Sequence, residues 1–234
     1  MTAAIAPVAT ALAVAACGYL DRGLQPGSYR AALETPAGEL PFGLDIAKES
    51  DRYVLYLING EERLRVEDVQ VDGRNLRASL PGSSAALSLR VKRKGLEGEL
   101  SLPLGGAKLT TLPLRAELGK THRFFEEPLT DNADVQGRWS VVVSRDALEG
   151  SPAVAVFHQQ FERVSGRILT REAEGPMLVG EIHDEELYLS RFDGSSAVLL
   201  HARVDARGAL EGEMWSAAAG AARVQAVRNP DAVL

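Results

Sequence analysis

Asp193-Gly194-Ser195-Ser196-Ala197-Val198-Leu199, followed by Leu210-Glu211-Gly212-Glu213, decides how the chain is read, because both words occur twice. The earlier copies are Gly82-Ser83-Ser84-Ala85-Ala86-Leu87 and Leu96-Glu97-Gly98-Glu99, offset by 112 and 114 residues. A third echo opens each unit: Gly27-Ser28-Tyr29 and Gly137-Arg138-Trp139 are offset by 110. Several words recurring at one spacing are the mark of a tandem duplication. The chain divides accordingly into a first unit over 27–118, a linker over 119–136 and a second unit over 137–234.

Outward from these words, both units read as strands. In the first they are expected at Ser28–Leu33, Glu39–Ala47, Arg52–Ile58, Glu62–Val66, Val69–Val71, Asn75–Leu80, Ala85–Val91, Leu96–Leu100 and Lys108–Ala116. Leu40, Phe42, Leu44 and Ile46 alternate with polar or small residues, and Pro41 among them marks an edge or bulge. Asn59-Gly60 predicts a hairpin turn with both residues at positive φ. In the second unit strands are expected at Trp139–Val143, Ala153–Phe157, Arg163–Thr170, Met177–Ile182, Leu187–Phe192, Ala197–Val204, Leu210–Trp215 and Ala221–Val227. Short strands punctuated by Gly, Asp and Asn predict an all-β fold. It is built of two tandem antiparallel meanders, closed as barrels or packed as sandwiches. The linker is polar except for Phe124-Phe125, a pair expected to pack onto one unit.

At 45% hydrophobic and 25% charged the chain is ordinary for a folded protein, and its formal charge of −6 argues against nucleic acid. Lys92-Arg93-Lys94, the one basic cluster, reads as a solvated hairpin tip. Cys17 is the sole cysteine, which leaves no Cys-x-x-Cys centre. Gly194-Ser195-Ser196 is not Gly-x-Ser-x-Gly, and its earlier copy marks it as a structural turn. No phosphate loop or His-Glu-x-x-His is present. His183-Asp184-Glu185-Glu186 reads as an acidic hairpin turn rather than a metal site, and His158 and His201 as structural residues. No catalytic residue, metal ligand or cofactor is expected. Two binding candidates remain. Asn59, Gly60, Glu61, Glu62 and Arg63 form a charged hairpin that is either a solvated turn or a docking loop. Tyr29, Phe42, Trp139 and Phe157 either fill the core or line a cavity for a small apolar ligand.

Residues 1–16 are uncharged and rich in Ala and Val, and the run ends Val14-Ala15-Ala16-Cys17-Gly18. This resembles a bacterial lipoprotein signal peptide, too short to span a bilayer comfortably. The resemblance implies cleavage before Cys17, lipidation of Cys17, a tether over 17–26 and attachment at the periplasmic face of the cell envelope. Gly18, rather than Asp, resembles the pattern that directs such lipoproteins to the outer membrane. The Gly-x-Tyr and Gly-x-Trp openings resemble lipocalin- and streptavidin-like meanders, in which an opening aromatic plugs the barrel floor.

Glu39-Leu40-Pro41-Phe42-Gly43-Leu44, Leu57-Ile58-Asn59-Gly60-Glu61-Glu62-Arg63, Gly137-Arg138-Trp139 and Leu189-Ser190-Arg191-Phe192-Asp193-Gly194 resemble the N-terminal β-rich region of TlpA-like thiol–disulfide oxidoreductase lipoproteins. The resemblance implies an accessory domain without the thioredoxin fold, docking a thioredoxin-like partner. One alternative is the front half of such an oxidoreductase, an enzyme only if a thioredoxin domain follows. The other is a lipocalin-like carrier of a small apolar ligand.

Overall fold

The computed structural model describes residues 23–104, 108–127, 131–145 and 150–234. The signal peptide and Cys17 lie outside them. The described residues contain seventeen strands and no helix. The first nine are β1 (Gly27–Thr35), β2 (Gly38–Glu49), β3 (Arg52–Asn59), β4 (Glu62–Val66), β5 (Val69–Asp72), β6 (Asn75–Ser79), β7 (Ala86–Lys92), β8 (Gly95–Pro103) and β9 (Leu109–Leu118). They form one antiparallel sheet in the order β4-β3-β2-β1-β9-β8-β7-β6-β5. β4 and β5, consecutive in the chain, are its two edges, so the sheet curls into a barrel left open along one seam.

The second unit comprises β10 (Gly137–Ser144), β11 (Ser151–Gln160), β12 (Arg163–Leu169), β13 (Leu178–His183), β14 (Glu186–Phe192), β15 (Ala197–Val204), β16 (Leu210–Ser216) and β17 (Gly220–Arg228). These eight close into a barrel. The all-β, two-meander expectation holds in both halves.

The repeated words have structural reasons. Tyr29, on β1, donates from its hydroxyl to the carbonyl of Gln25 at 2.6 Å. Trp139, on β10, donates from Nε1 to the carbonyl of Val135 at 3.0 Å, also four residues upstream. Each opening aromatic is buried and satisfies its polar tip on the segment leading into the barrel. The glycine of Leu-Glu-Gly-Glu also does one job twice. A Cβ on Gly98 would sit 2.0 Å from the Ser88 carbonyl oxygen, and one on Gly212 2.1 Å from that of His201. Only glycine permits that approach of neighbouring strands.

The hairpin after β3 is shifted by one residue from expectation. Asn59 pairs with Glu62, so the loop is Gly60-Glu61, and only Gly60 has positive φ. Asn59 stays in the strand because its side chain is buried and bonded at both ends.

The two barrels share apolar surface. Phe192, Ala197, Leu199 and Trp215 come from the second barrel but are buried in the leucine-rich core of the first. The Phe42 and Phe192 rings lie 4.8 Å apart. Gly194, in the β14–β15 turn, rests against Leu64 of β4 and Leu80 just past β6. There the duplicated words meet, as the Ser83 hydroxyl donates to the Gly194 carbonyl at 2.9 Å. The second barrel thus stoppers the first unit near its open seam.

Candidate functional site

The linker is a strap, not a free connector. Arg123 threads between the units, its Nε donating to the Ser190 hydroxyl at 3.0 Å. One terminal nitrogen donates to Asn59 Oδ1 at 2.8 Å and to the Ser190 carbonyl at 3.0 Å. The Ser190 hydroxyl in turn donates to the Pro41 carbonyl at 2.7 Å. Pro41 lies where β2 pairs with β1 but not yet with β3, which fits the expected edge. Glu181 accepts from the backbone N–H groups of Arg123, Phe124 and Phe125. Removal from water pushes the Arg123 guanidinium pKa down to about 10, against the pull of Glu181. Phe124 and Phe125 then stack on the second barrel, Phe125 over His183 at 4.3 Å and both against Tyr188.

The expected docking hairpin faces this junction. Asn59 donates to the Met177 carbonyl at 3.2 Å, and Glu62 accepts from Arg191 at 2.6 Å. Arg63 pairs with Asp45 and lies over Tyr56. Gly60 abuts Val179 of the second barrel, leaving Glu61 at the exposed tip.

Of the expected cavity residues, Tyr29 and Phe42 lie in the first core, and Trp139 and Phe157 in the second. The space among Phe157, Leu187, Leu200 and their neighbours is about 10 Å³. A single water needs at least that much. His183–Glu186 spans the β13–β14 hairpin, and no group of three metal-ligating side chains occurs among the described residues. His158 and His201 both point outward, His201 stacked on Tyr188 at 4.1 Å and bonded to Glu186.

A sizeable apolar concavity lies in the mouth of the second barrel. Its far end is sealed by Trp139 and by Val135, which is fully buried. The near end opens into a cup of about 710 Å³. Ala153, Ile168, Leu178, Val198 and Met214 form its floor, one each from β11, β12, β13, β15 and β16. The rim carries Arg145, Ser151, Thr170, Arg171, Glu172 and Ser216. Alternation explains the floor, since inward positions of successive strands end at one level. The β12–β13 connection builds up one wall and is internally tied. Thr170 Oγ1 donates to the Ala173 carbonyl at 3.2 Å, and Gly175 N–H to the Ile168 carbonyl at 3.1 Å. A concavity of this volume with an apolar floor and a few polar rim groups is a ligand site in form. Sequence reasoning offered a cavity only deeper, among the aromatics, as the alternative to their filling the core. The cup was hidden because its floor reads as ordinary inward alternation.

No family model matches the chain, and no curated protein matches it. Among solved structures it is similar to a protein of unknown function of the DUF3598 family from Nostoc punctiforme. The identity is 15% and the TM-score 0.30, over 86% of this chain and 94% of that one. The expected kinship with TlpA-like proteins is overturned, since no family model and no curated protein of that class matches the chain. The motifs that carried it have local causes: Leu57–Arg63 is a hairpin, Gly137–Trp139 a barrel opening, and Leu189–Gly194 the hairpin that enters the other barrel.

Proposed function

We propose that the chain is a non-catalytic binding protein of the bacterial cell envelope, anchored by lipid on Cys17, whose second barrel holds a small, largely apolar ligand in its mouth. The observation that carries this reading is the cup of about 710 Å³ above a filled barrel. Its size falls within the range of small-molecule pockets, roughly 300 to 1,000 Å³. The docking reading has less to offer, because the Asn59–Arg63 hairpin is engaged by the chain's own second barrel. The ligand reading is tested by titrating the protein with N-phenyl-1-naphthylamine, a neutral dye that brightens in apolar surroundings. Saturable one-site binding is expected, lost in Val198→Trp, which fills the cup from β15. Dye binding that is absent, or unchanged in a Val198→Trp protein of normal melting, would overturn it. Anchoring is tested separately: Cys17→Ser should move the protein from the membrane to the soluble fraction, and its retention would remove the anchor from the proposal.

A further inference from the structure

The charges around the cup are not evenly spread. Arg145 follows β10 and Arg171 follows β12, and both strands flank β11. The two arginines therefore leave the barrel on one arc of the mouth, on either side of β11. Neither has an ion-pair or hydrogen-bond partner among the described residues, and both are exposed. The opposite arc carries Val198 and Met214, with the uncharged Ser216 beside them. Glu172, next to Arg171, is the one carboxylate among the described rim residues.

We propose, on the footing that the cup binds a ligand, that this ligand is a single-chain amphiphile bearing a carboxylate. Its head lies between Arg145 and Arg171, and its tail lies across the apolar floor towards Val198 and Met214. The packing beneath decides where the tail can lie. With only about 10 Å³ free inside the barrel, a chain cannot thread downwards. It has to lie within the cup itself, across the apolar floor. Two guanidinium groups on one arc suit a carboxylate, whose two oxygens accept paired N–H donors. The opposite wall offers no charge for a second polar end, so the class is an amphiphile with one head.

Decanoate and 1-decanol, equal in tail and different in head, are the probes, each displacing the naphthylamine dye at low salt. The carboxylate should bind roughly ten-fold tighter than the alcohol, with the preference falling in high salt. In Arg145→Gln/Arg171→Gln that preference should drop to within about two-fold while decanol binding stays unchanged, as expected when a charge-assisted contact is removed from an exposed rim. Glu172→Gln should sharpen the preference. Equal affinity for the two probes in the native protein, or a preference that survives the double variant, would overturn the anionic-head proposal and leave the cup intact. Failure of both probes and of the dye would instead remove the ligand-binding reading on which it rests.

Discussion

Arg123 is where the two barrels are joined through one side chain. Its fork reaches Asn59 in the first unit and Ser190 in the second, and its backbone is held by Glu181. Replacement by Ala leaves those acceptors unpaired in a dry junction and should cost about 2–4 kcal/mol in chemical unfolding. Arg123→Lys, with a point charge instead of a fork, should recover less than half of that loss. Asp193 supplies a pH dependence. Partial burial opposes its charge, but the N–H groups of Ser195 and Ser196, the Ser195 hydroxyl and Arg191 outweigh that and hold its pKa below the usual 3.8. A carboxyl whose folded pKa is lowered contributes stability above its unfolded pKa and loses it on acidification. Asp193→Ala should therefore cost about 1–2 kcal/mol at neutral pH. That difference should narrow as the pH falls from 3.8 through the lowered value, and a gap that stays constant down to pH 2 would show that charge plays no part. At this scale the sequence was legible where a residue acts on its neighbours. The Gly-Ser-Ser turns were recognised because the word occurs twice, and in the second copy Asp193 caps its own turn locally. Arg123 was not, because Ser190, its main partner, is 67 residues away. The Phe124-Phe125 pair beside it was the visible sign that this stretch is packed.

The β14–β15 hairpin is the element that makes two barrels into one object. Phe192 at its shoulder is fully buried against Phe42, across the junction. Truncation of such a ring to Ala typically costs about 3–5 kcal/mol, and Phe192→Ala should fall in that range. A double-mutant cycle with Phe42→Leu should return a coupling of about 0.5–1.5 kcal/mol, and coupling near zero would mean that the rings meet without mutual stabilisation. Strand positions were readable in both units because alternation is a local property, and each expected strand overlaps one in the structure. Closure was not readable. Whether β4 pairs with β5 depends on what covers the seam, and that cover arrives from about 130 residues further along the chain. The same limit applies to the cup, which exists only because five separate strands end together and one connection rises beside them.

For the whole molecule, the asymmetry between the barrels predicts an asymmetry in autonomy. The second barrel has no unpaired edge, and its own core runs from Trp139 through Leu187 and Leu200 to Val224. The first has two free edges, and its core is completed by Phe192, Leu199 and Trp215 from outside. A fragment over 131–234 should fold alone, though with Phe192, Leu199 and Trp215 newly exposed it should tend to self-associate. A fragment over 23–127 should lack dispersed amide resonances and bind hydrophobic dyes, since it must leave both a seam and part of its core open to water. Mixing the two fragments should restore order to the first, because the second supplies the missing side chains. In the intact chain the same dependence should appear as a single urea transition, the first unit having no stable state without the second. The opposite pattern would be two resolved transitions, with the 23–127 fragment unfolding at the first unit's own midpoint. That result would mean that the leucine core closes the first barrel unaided, and that the shared apolar surface only sets how the barrels face each other.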